Sequence, residues 1–251
     1  MKRIVLILLI IVSNSTSAQT VDSLFNKANK LYQNEKYNQA LELYKKIEEQ
    51  HINSDKLYYN IANANYKLNR IAPAIYYYEK ALLVNPTNND AKFNLEFAKG
   101  MALDNIEPLP KTFLEKLRES IILRLKYNTW AWAAVVLSFM FGLLFLLYYF
   151  AYQTKRKRLY FTTSIISIFL ASLSVLFAYQ NYSFVTNTKE AIVFAQQADV
   201  KSAPTMSSSV NFELHEGAKV QLLESLDDWQ KIKIADGKTG WMLADDIKQL
   251  N

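Results

Sequence analysis

The amino-acid sequence predicts a multidomain membrane protein: an all-α helical repeat, then a two-helix transmembrane hairpin, then a small all-β barrel. Three observations carry that prediction. Two long uncharged stretches flank the cluster Lys155-Arg156-Lys157-Arg158. Ahead of them, residues recur with a 34-residue period. After them, the pattern changes to the alternation of short strands.

Residues 1–18 read as a secretory signal peptide. Met1-Lys2-Arg3 is a basic start, Ile4 to Val12 an apolar run too short to span as a mature helix, and Thr16-Ser17-Ala18 a small-residue cleavage site. An uncleaved N-terminal anchor is the alternative.

The helical repeat occupies residues 19–104, as copies at about 21–54 and 55–88 and a terminal helix at 89–104. Ala28 pairs with Ala62, Tyr32 with Tyr66, Ala40 with Ala74 and Tyr44 with Tyr78. The alanines let neighbouring helices approach, Tyr44 and Tyr78 fill the space beside them, and Pro73 falls in a first helical turn, where its missing N–H is tolerated. Two copies plus one helix make a short stack, to be completed by a juxtamembrane helix, a partner or a second copy. The second copy, with Tyr58, Ile61-Ala62, Ala74, Tyr78, Ala81 and Pro86, resembles the tetratricopeptide repeat; in the first copy Ile47 and Ile52 depart from it. The resemblance implies a groove along the first helix of each repeat, here Phe25, Asn29, Tyr32, Tyr59, Asn60, Asn63, Tyr66 and Phe93. Asn29 and Asn60 fall where some members clamp a peptide carboxylate, but Phe25, Asp90 and Asn94 replace the cations that complete the clamp. An aromatic groove with amides suits a peptide segment. Tyr32 and Tyr66 serve equally as inter-helix packing.

Residues 105–126 form a linker and a juxtamembrane segment. From Thr112 to Leu125, apolar Phe113, Leu114, Leu117, Ile121, Ile122 and Leu125 oppose charged neighbours. This is either an amphipathic helix in the bilayer interface or a soluble helix packed on the repeat. Spans are predicted at 127–153 and 159–182 with a basic loop at 154–158, each span exceeding the ~20 residues a membrane helix needs. Tyr127, Trp130, Trp132, Tyr148, Tyr149, Tyr152, Tyr160, Phe161, Tyr179 and Tyr182 mark the headgroup levels. No charge lies between these belts, so the hairpin reads as an anchor rather than a conduit. Gly142, Ser164, Ser167, Ala171, Ser172 and Ser174 allow close helix packing. The positive-inside rule places the basic loop in the cytoplasm and both soluble domains outside it; Lys111, Lys116, Arg118, Arg124 and Lys126 speak against that orientation.

Residues 189–251 form the barrel. Ala191 to Phe194, Lys219 to Leu223 and Trp229 to Ile234 read as strands, and Asp236-Gly237 is a tight-turn signal before Gly240-Trp241-Met242. Asp199-Val200-Lys201-Ser202-Ala203-Pro204, Leu214 to Val220 and the Trp229 strand resemble the bacterial SH3-type domain, with Lys201 and Ala203 in place of the usual arginine and glycine. The resemblance implies binding of peptide or cell-wall polymer through Phe212, Trp229 and Trp241, of which Trp241 reads more readily as core.

The formal net charge of +6 is concentrated in one region. Residues 19–110 carry 11 basic and 11 acidic groups, residues 111–188 carry 9 and 2, and residues 189–251 carry 7 and 10. Neither soluble domain has the basic surface that nucleic acid requires. There is no cysteine for a disulfide or thiol nucleophile. His51 and His215 read as surface residues, and Asp227-Asp228 and Asp245-Asp246 as solvated turns. No metal spacing, nucleophile motif or phosphate loop is present, so no catalytic residue, cofactor or metal is expected.

The order signal peptide, repeat, hairpin and barrel resembles the BatE family of the Bacteroides aerotolerance system. That resemblance implies a bacterial inner-membrane protein with both soluble domains periplasmic. Its partners would be other membrane-anchored Bat proteins, including von Willebrand A-type components, with an indirect link to a MoxR-type ATPase. The expected function is a non-catalytic scaffold or adaptor. The alternative is a protein that binds or senses peptidoglycan through the barrel.

Overall fold

The computed structural model describes residues 21–250; the signal-peptide reading lies outside them. The described chain falls into two compact units. One joins the residues up to Leu109 with those from Glu190 onward, and the other is Pro110–Lys189.

In the first unit, α1 covers residues 21–33. It is followed by α2 (Tyr37–Glu48), α3 (Asp55–Lys67), α4 (Ile71–Val84) and α5 (Asn89–Lys99). Ser54 Oγ accepts the Leu57 N–H to start α3, and Asn88 Oδ1 accepts the Ala91 N–H to start α5, satisfying amides that have no partner inside the helix. The 34-residue period is visible in the backbone as well. Glu35 and Asn69, one period apart, both take left-handed φ values near 60° (60° and 57°) in the tight turns that end α1 and α3. Ala28, Ala40, Ala62 and Ala74 are fully buried where the helices meet. The terminal helix is shorter than its predicted 89–104, ending at Lys99.

The barrel is an antiparallel sheet of β1 (Lys189–Val193), β2 (Gln197–Lys201), β3 (Val210–His215), β4 (Lys219–Leu226), β5 (Trp229–Lys233), β6 (Thr239–Leu243) and β7 (Ile247–Gln249), in the order β3-β2-β6-β5-β4-β1-β7. Ile232 and Ile234 point inward while Lys233 is exposed, as alternation requires. Gly240 is obligatory for closure. A Cβ there would lie 2.5 Å from Val200 Cγ1 and 2.9 Å from the Lys201 carbonyl oxygen, where β2 pairs closely with β6.

Repeat and barrel are not the separate heads that their sequence positions imply. Ile192 and Leu250 of the barrel are buried in the same apolar core as α4. Phe194 stacks edge-on against Tyr76 at 5.7 Å between ring centroids, and the Tyr76 hydroxyl donates to the Gln249 carbonyl at 3.2 Å. The β3–β4 turn presents Gly217, at φ +90°, so closely to α4 that a Cβ would meet Ile75 Cδ1 at 2.9 Å. Polar contacts rim this junction. Lys219 Nζ donates to Glu79 at 3.0 Å and pairs with Glu190 at 2.8 Å. Asp104, beyond α5, accepts the His215 N–H at 2.6 Å and faces its Nδ1 at 2.8 Å. His215 is therefore a junction residue and not the surface histidine the sequence implied; His51 is exposed. Large apolar groups on α4 explain the short stack, since the barrel covers them.

In the second unit, α6 (Phe113–Leu117) opens with a capping box between Thr112 and Glu115 and continues as a π-helical turn, Arg118–Ile122. Two helices follow that are long and apolar enough to cross a membrane, α7 (Tyr127–Phe150) and α8 (Thr154–Asn187), with mean hydropathy of 2.2 and 2.0. At 1.5 Å per residue the 24 residues of α7 reach about 36 Å, enough for a ~30 Å hydrocarbon core. The expected basic loop at 154–158 is not a loop. Residues 151–153 make the connection, and Lys155 to Arg158 lie in the first turns of α8. The 34 residues of α8 extend beyond the predicted 159–182 at both ends, because its polar ends continue the same backbone hydrogen bonding. Its buried stripe is Ser164, Ser167, Ala171, Ser174 and Asn181, a heptad-like spacing for a shallow crossing. Ser167 Oγ donates to the Leu137 carbonyl at 2.8 Å across the seam. Gly142 and Ser172 lie outside it. Tyr127–Tyr182, Trp130–Phe177 and Tyr148–Phe161 pair across the hairpin at 5.5, 5.1 and 5.4 Å.

Candidate functional site

The concave face of the repeat is organised by asparagines. Asn29 Oδ1, on α1, accepts the Tyr44 hydroxyl from α2 at 2.6 Å and the Asn60 amide from α3 at 3.0 Å. One period later, Asn63 Oδ1 accepts the Tyr78 hydroxyl from α4 and the Asn94 amide from α5, the latter at 3.0 Å. Each asparagine thus ties its own repeat's second helix to the next repeat's first helix. Burial, above all other influences, pushes Tyr44 and Tyr78 well above the usual tyrosine range, so they stay protonated donors. Both acceptor positions of Asn29 Oδ1 and of Asn63 Oδ1 are occupied. Asn29 and Asn60, expected as ligand contacts, are bonded to each other in the inter-repeat ladder.

Between these rungs lies a concavity of about 280 Å³ lined by Tyr32, Tyr59, Asn63, Tyr66, Lys67, Tyr78, Asn94 and Phe97. The structure therefore gathers four of the expected groove residues, Tyr32, Tyr59, Asn63 and Tyr66. It leaves four outside. Phe25 packs on Tyr44 with ring centroids 5.9 Å apart. Asn29 and Asn60 form the first rung, and Phe93 stands 65% exposed on α5. Asn94 was legible, since its spacing from Asn63 repeats that of Asn60 from Asn29. Phe97 had a signal too, one turn beyond Phe93, whereas Lys67 had none. Asn94 Nδ2 also donates to the Tyr59 hydroxyl at 3.1 Å, which fixes that ring on the wall. Desolvation, with Tyr37 and Tyr59 nearby, raises the Tyr32 pKa. The wall is thus neutral and aromatic, with Lys67 as its cation.

The barrel carries a second concavity, of about 360 Å³, lined by Gln197, Ala198, Asp199, Lys201, Met206, Trp229, Leu243 and Asp246. Lys201 Nζ donates to the Met206 carbonyl at 2.6 Å and so folds over the loop after β2. Burial, reinforced by Asp245, pushes the Asp246 carboxyl above the usual range. The three expected contact rings separate here. Trp229 lines this concavity. Phe212 lines a different one, among Asp104, Glu107, Glu213 and Asp236. Trp241 is only 8% exposed, and the ring is covered because β6 is a central strand with both neighbours paired. No group of three or more His, Asp or Glu side chains gathers to hold a metal among the described residues.

With the geometry in place, the comparisons align with it. Residues 197–248 match the bacterial SH3 domain family, and residues 56–88 match the tetratricopeptide repeat. Both are binding domains. Together with the two long apolar helices they account for all three parts of the architecture. The chain is also 27% identical over 86 residues, 34% of its length, to YrvJ of Bacillus subtilis (strain 168), a protein named as a candidate N-acetylmuramoyl-L-alanine amidase. The match spans 16% of that protein's own length.

Proposed function

We propose that the protein is a non-catalytic membrane-anchored scaffold. Its tetratricopeptide concavity takes a peptide segment of one partner and its SH3-type concavity takes a second ligand. The observation that carries this reading is the way the two modules dock. The junction uses Ile75, Tyr76, Glu79, Ile192, Phe194, His215 and Lys219, and none of these lines either concavity. Docking therefore leaves both sites open on one body, and each ligand raises the local concentration of the other. Tyr32, Tyr59, Tyr66 and Phe97 offer rigid apolar contact at low entropic cost, and Lys67 offers a polar contact. The Asn63 amide nitrogen and the Asn94 side-chain carbonyl oxygen, which the ladder does not use, are available to orient a backbone.

In the finer reading, α7 and α8 span a bacterial inner membrane with both modules periplasmic, as Lys155 to Arg158 favour under the positive-inside rule. The scaffold then works in a BatE-like complex with membrane-anchored, von Willebrand A-type partners. The connection at 151–153 is too short to hold a cytoplasmic domain, so any link to a MoxR-type ATPase passes through another protein. Crosslinkers placed at Tyr66 and Phe97 in cells, with Leu223 as the remote control, test this. Specific capture of a membrane-anchored protein from the first two positions is expected. Equal products from all three positions would remove the groove from the mechanism.

A second reading, cell-wall binding through the barrel, is favoured by the relative whose name refers to a muramoyl–alanine bond. Sedimentation of the detergent-solubilised protein with purified sacculi, reduced by Trp229→Ala, would support it. The whole protein is required, because a barrel alone would expose Ile192, Phe194 and Leu250.

A further inference from the structure

We propose that the cavity between the juxtamembrane turn and α8 is a binding site for an anionic phospholipid, whichever ligands the two soluble modules hold. The cavity, about 370 Å³, has Leu114, Leu117, Ile121 and Ile122 on one wall, Phe177 and Gln180 of α8 on the other, and Arg118 and Glu115 as the charged groups of its lining. It is held by a built framework. Asn181 Nδ2, buried on α8, donates to the Ile122 carbonyl at 2.9 Å and to the Leu125 carbonyl at 2.6 Å, and Trp130 Nε1 donates to the same Ile122 carbonyl at 3.1 Å. These bonds hold the segment against the hairpin at the level of Trp130, Tyr127 and Tyr182, rings that favour the headgroup region.

The charges at this level are unbalanced. Both acidic residues of the segment are already engaged: Glu115 accepts the Thr112 N–H and hydroxyl at 2.8 and 2.9 Å, and Glu119 pairs with Lys111 at 2.6 Å. Lys116, Arg118, Arg124 and Lys126 have no ion-pair partner among the described residues. Arg118 lies against the Phe184 ring with its Cζ 4.8 Å from the centroid, and its Nε is buried without a hydrogen-bond partner. The guanidinium as a whole is only partly buried, and phosphate oxygens match its planar donor set.

The apolar wall selects the source of that phosphate. Phe113 and Leu114 are 77% and 73% exposed, and Leu114 shares the cavity with Phe177 of α8. A soluble phosphate would leave this wall wet, whereas a phospholipid places its headgroup on Arg118 and an acyl chain along Leu114, Leu117 and Phe177. The site also gives a role to the cations that the positive-inside rule leaves on the wrong side.

The test is native mass spectrometry of the full-length protein released from lipid nanodiscs of equimolar phosphatidylglycerol and phosphatidylcholine. The wild type is expected to retain phosphatidylglycerol selectively. Arg118→Gln should lower that retention about tenfold, the loss of one charge-assisted contact, and Lys157→Gln at the opposite end should leave it unchanged. Arg118 also packs on Phe184, so Gln180→Trp, which fills the cavity from α8 and leaves the guanidinium in place, is the second variant and should lower retention as well. Retention without preference between the two lipids, retention unaltered by both cavity variants, an equal loss in Lys157→Gln, or displacement of the lipid by inorganic phosphate would each overturn the proposal.

Discussion

The repeat–barrel junction and the α7–α8 seam both pack helices against other elements, yet they are made of opposite materials. The junction uses large side chains, Ile75, Tyr76, Phe194 and Ile192, with the ion pairs of Lys219 around them. The seam uses Ser164, Ser167, Ala171 and Ser174. Water accounts for the first: burying a large apolar group there yields ~1.5–3 kcal/mol. In the membrane reading proposed above, lipid would be as apolar as the side chains, so that only close approach and internal hydrogen bonds favour contact at the second. On that reading the solvent, more than helix geometry, chose the residues at each interface.

The sharpest way to break that contrast is to insert bulk where each interface is tightest. Gly217→Val combines a left-handed φ with a Cβ 2.9 Å from Ile75 Cδ1. It should destabilise the first unit by roughly 3–5 kcal/mol, seen as a lower Tm and new proteolytic cleavage between α5 and β1. Ile75→Ala should follow at about 2–4 kcal/mol in the same melt, while Ile165→Ala on the exposed face of α8 should leave it unchanged. Ala171→Leu in the seam should weaken hairpin packing by roughly 1–3 kcal/mol, read by resistance to unfolding in mixed micelles; enlarging exposed Val175 to Phe should have no effect.

The ladder allows a finer test. Asn63→Ala leaves the Tyr78 hydroxyl without its acceptor inside the repeat and should destabilise the protein by about 1–3 kcal/mol. Asn29→Ala should match it to within a factor of two if the rungs are equivalent. The smallest effect expected is a pH dependence. Burial alone would lower the Lys219 pKa, but Glu79 and Glu190 outweigh it and hold the ammonium above the usual lysine range. A raised folded-state pKa contributes stability that is complete below the unfolded value, near 10.4, and is lost as pH rises through the folded one. Tyr44 and Tyr78, also raised, have the same sign with onset near 10. The first unit should therefore lose stability above about pH 10, and Lys219→Met should flatten only the upper part of that decline.

Much of the molecule was legible because its signals are local. Ala28, Ala40, Ala62 and Ala74 disclosed the period, the uncharged runs the two long apolar helices, and Ile232 and Ile234 the strand. The candidate site was half legible. Period and polarity put Tyr32, Tyr59, Asn63 and Tyr66 on one face, but they do not distinguish an amide facing a ligand from one bonded to the neighbouring helix. Asn29 and Asn60, bonded across the first rung, fall outside the concavity. Trp241 turned on a similar ambiguity, since alternation assigns opposite faces without saying which strand becomes central.

By itself the sequence determined the helical repeat, the two apolar spans and the barrel, because each follows from periodicity within a few dozen residues. Tertiary structure alone decided that repeat and barrel form one body. The contacts that join them, His215 to Asp104, Lys219 to Glu79 and Tyr76 to Gln249, link residues 111, 140 and 173 positions apart. No local pattern records such pairings, since each partner satisfies its own helix or strand equally well before the two surfaces meet.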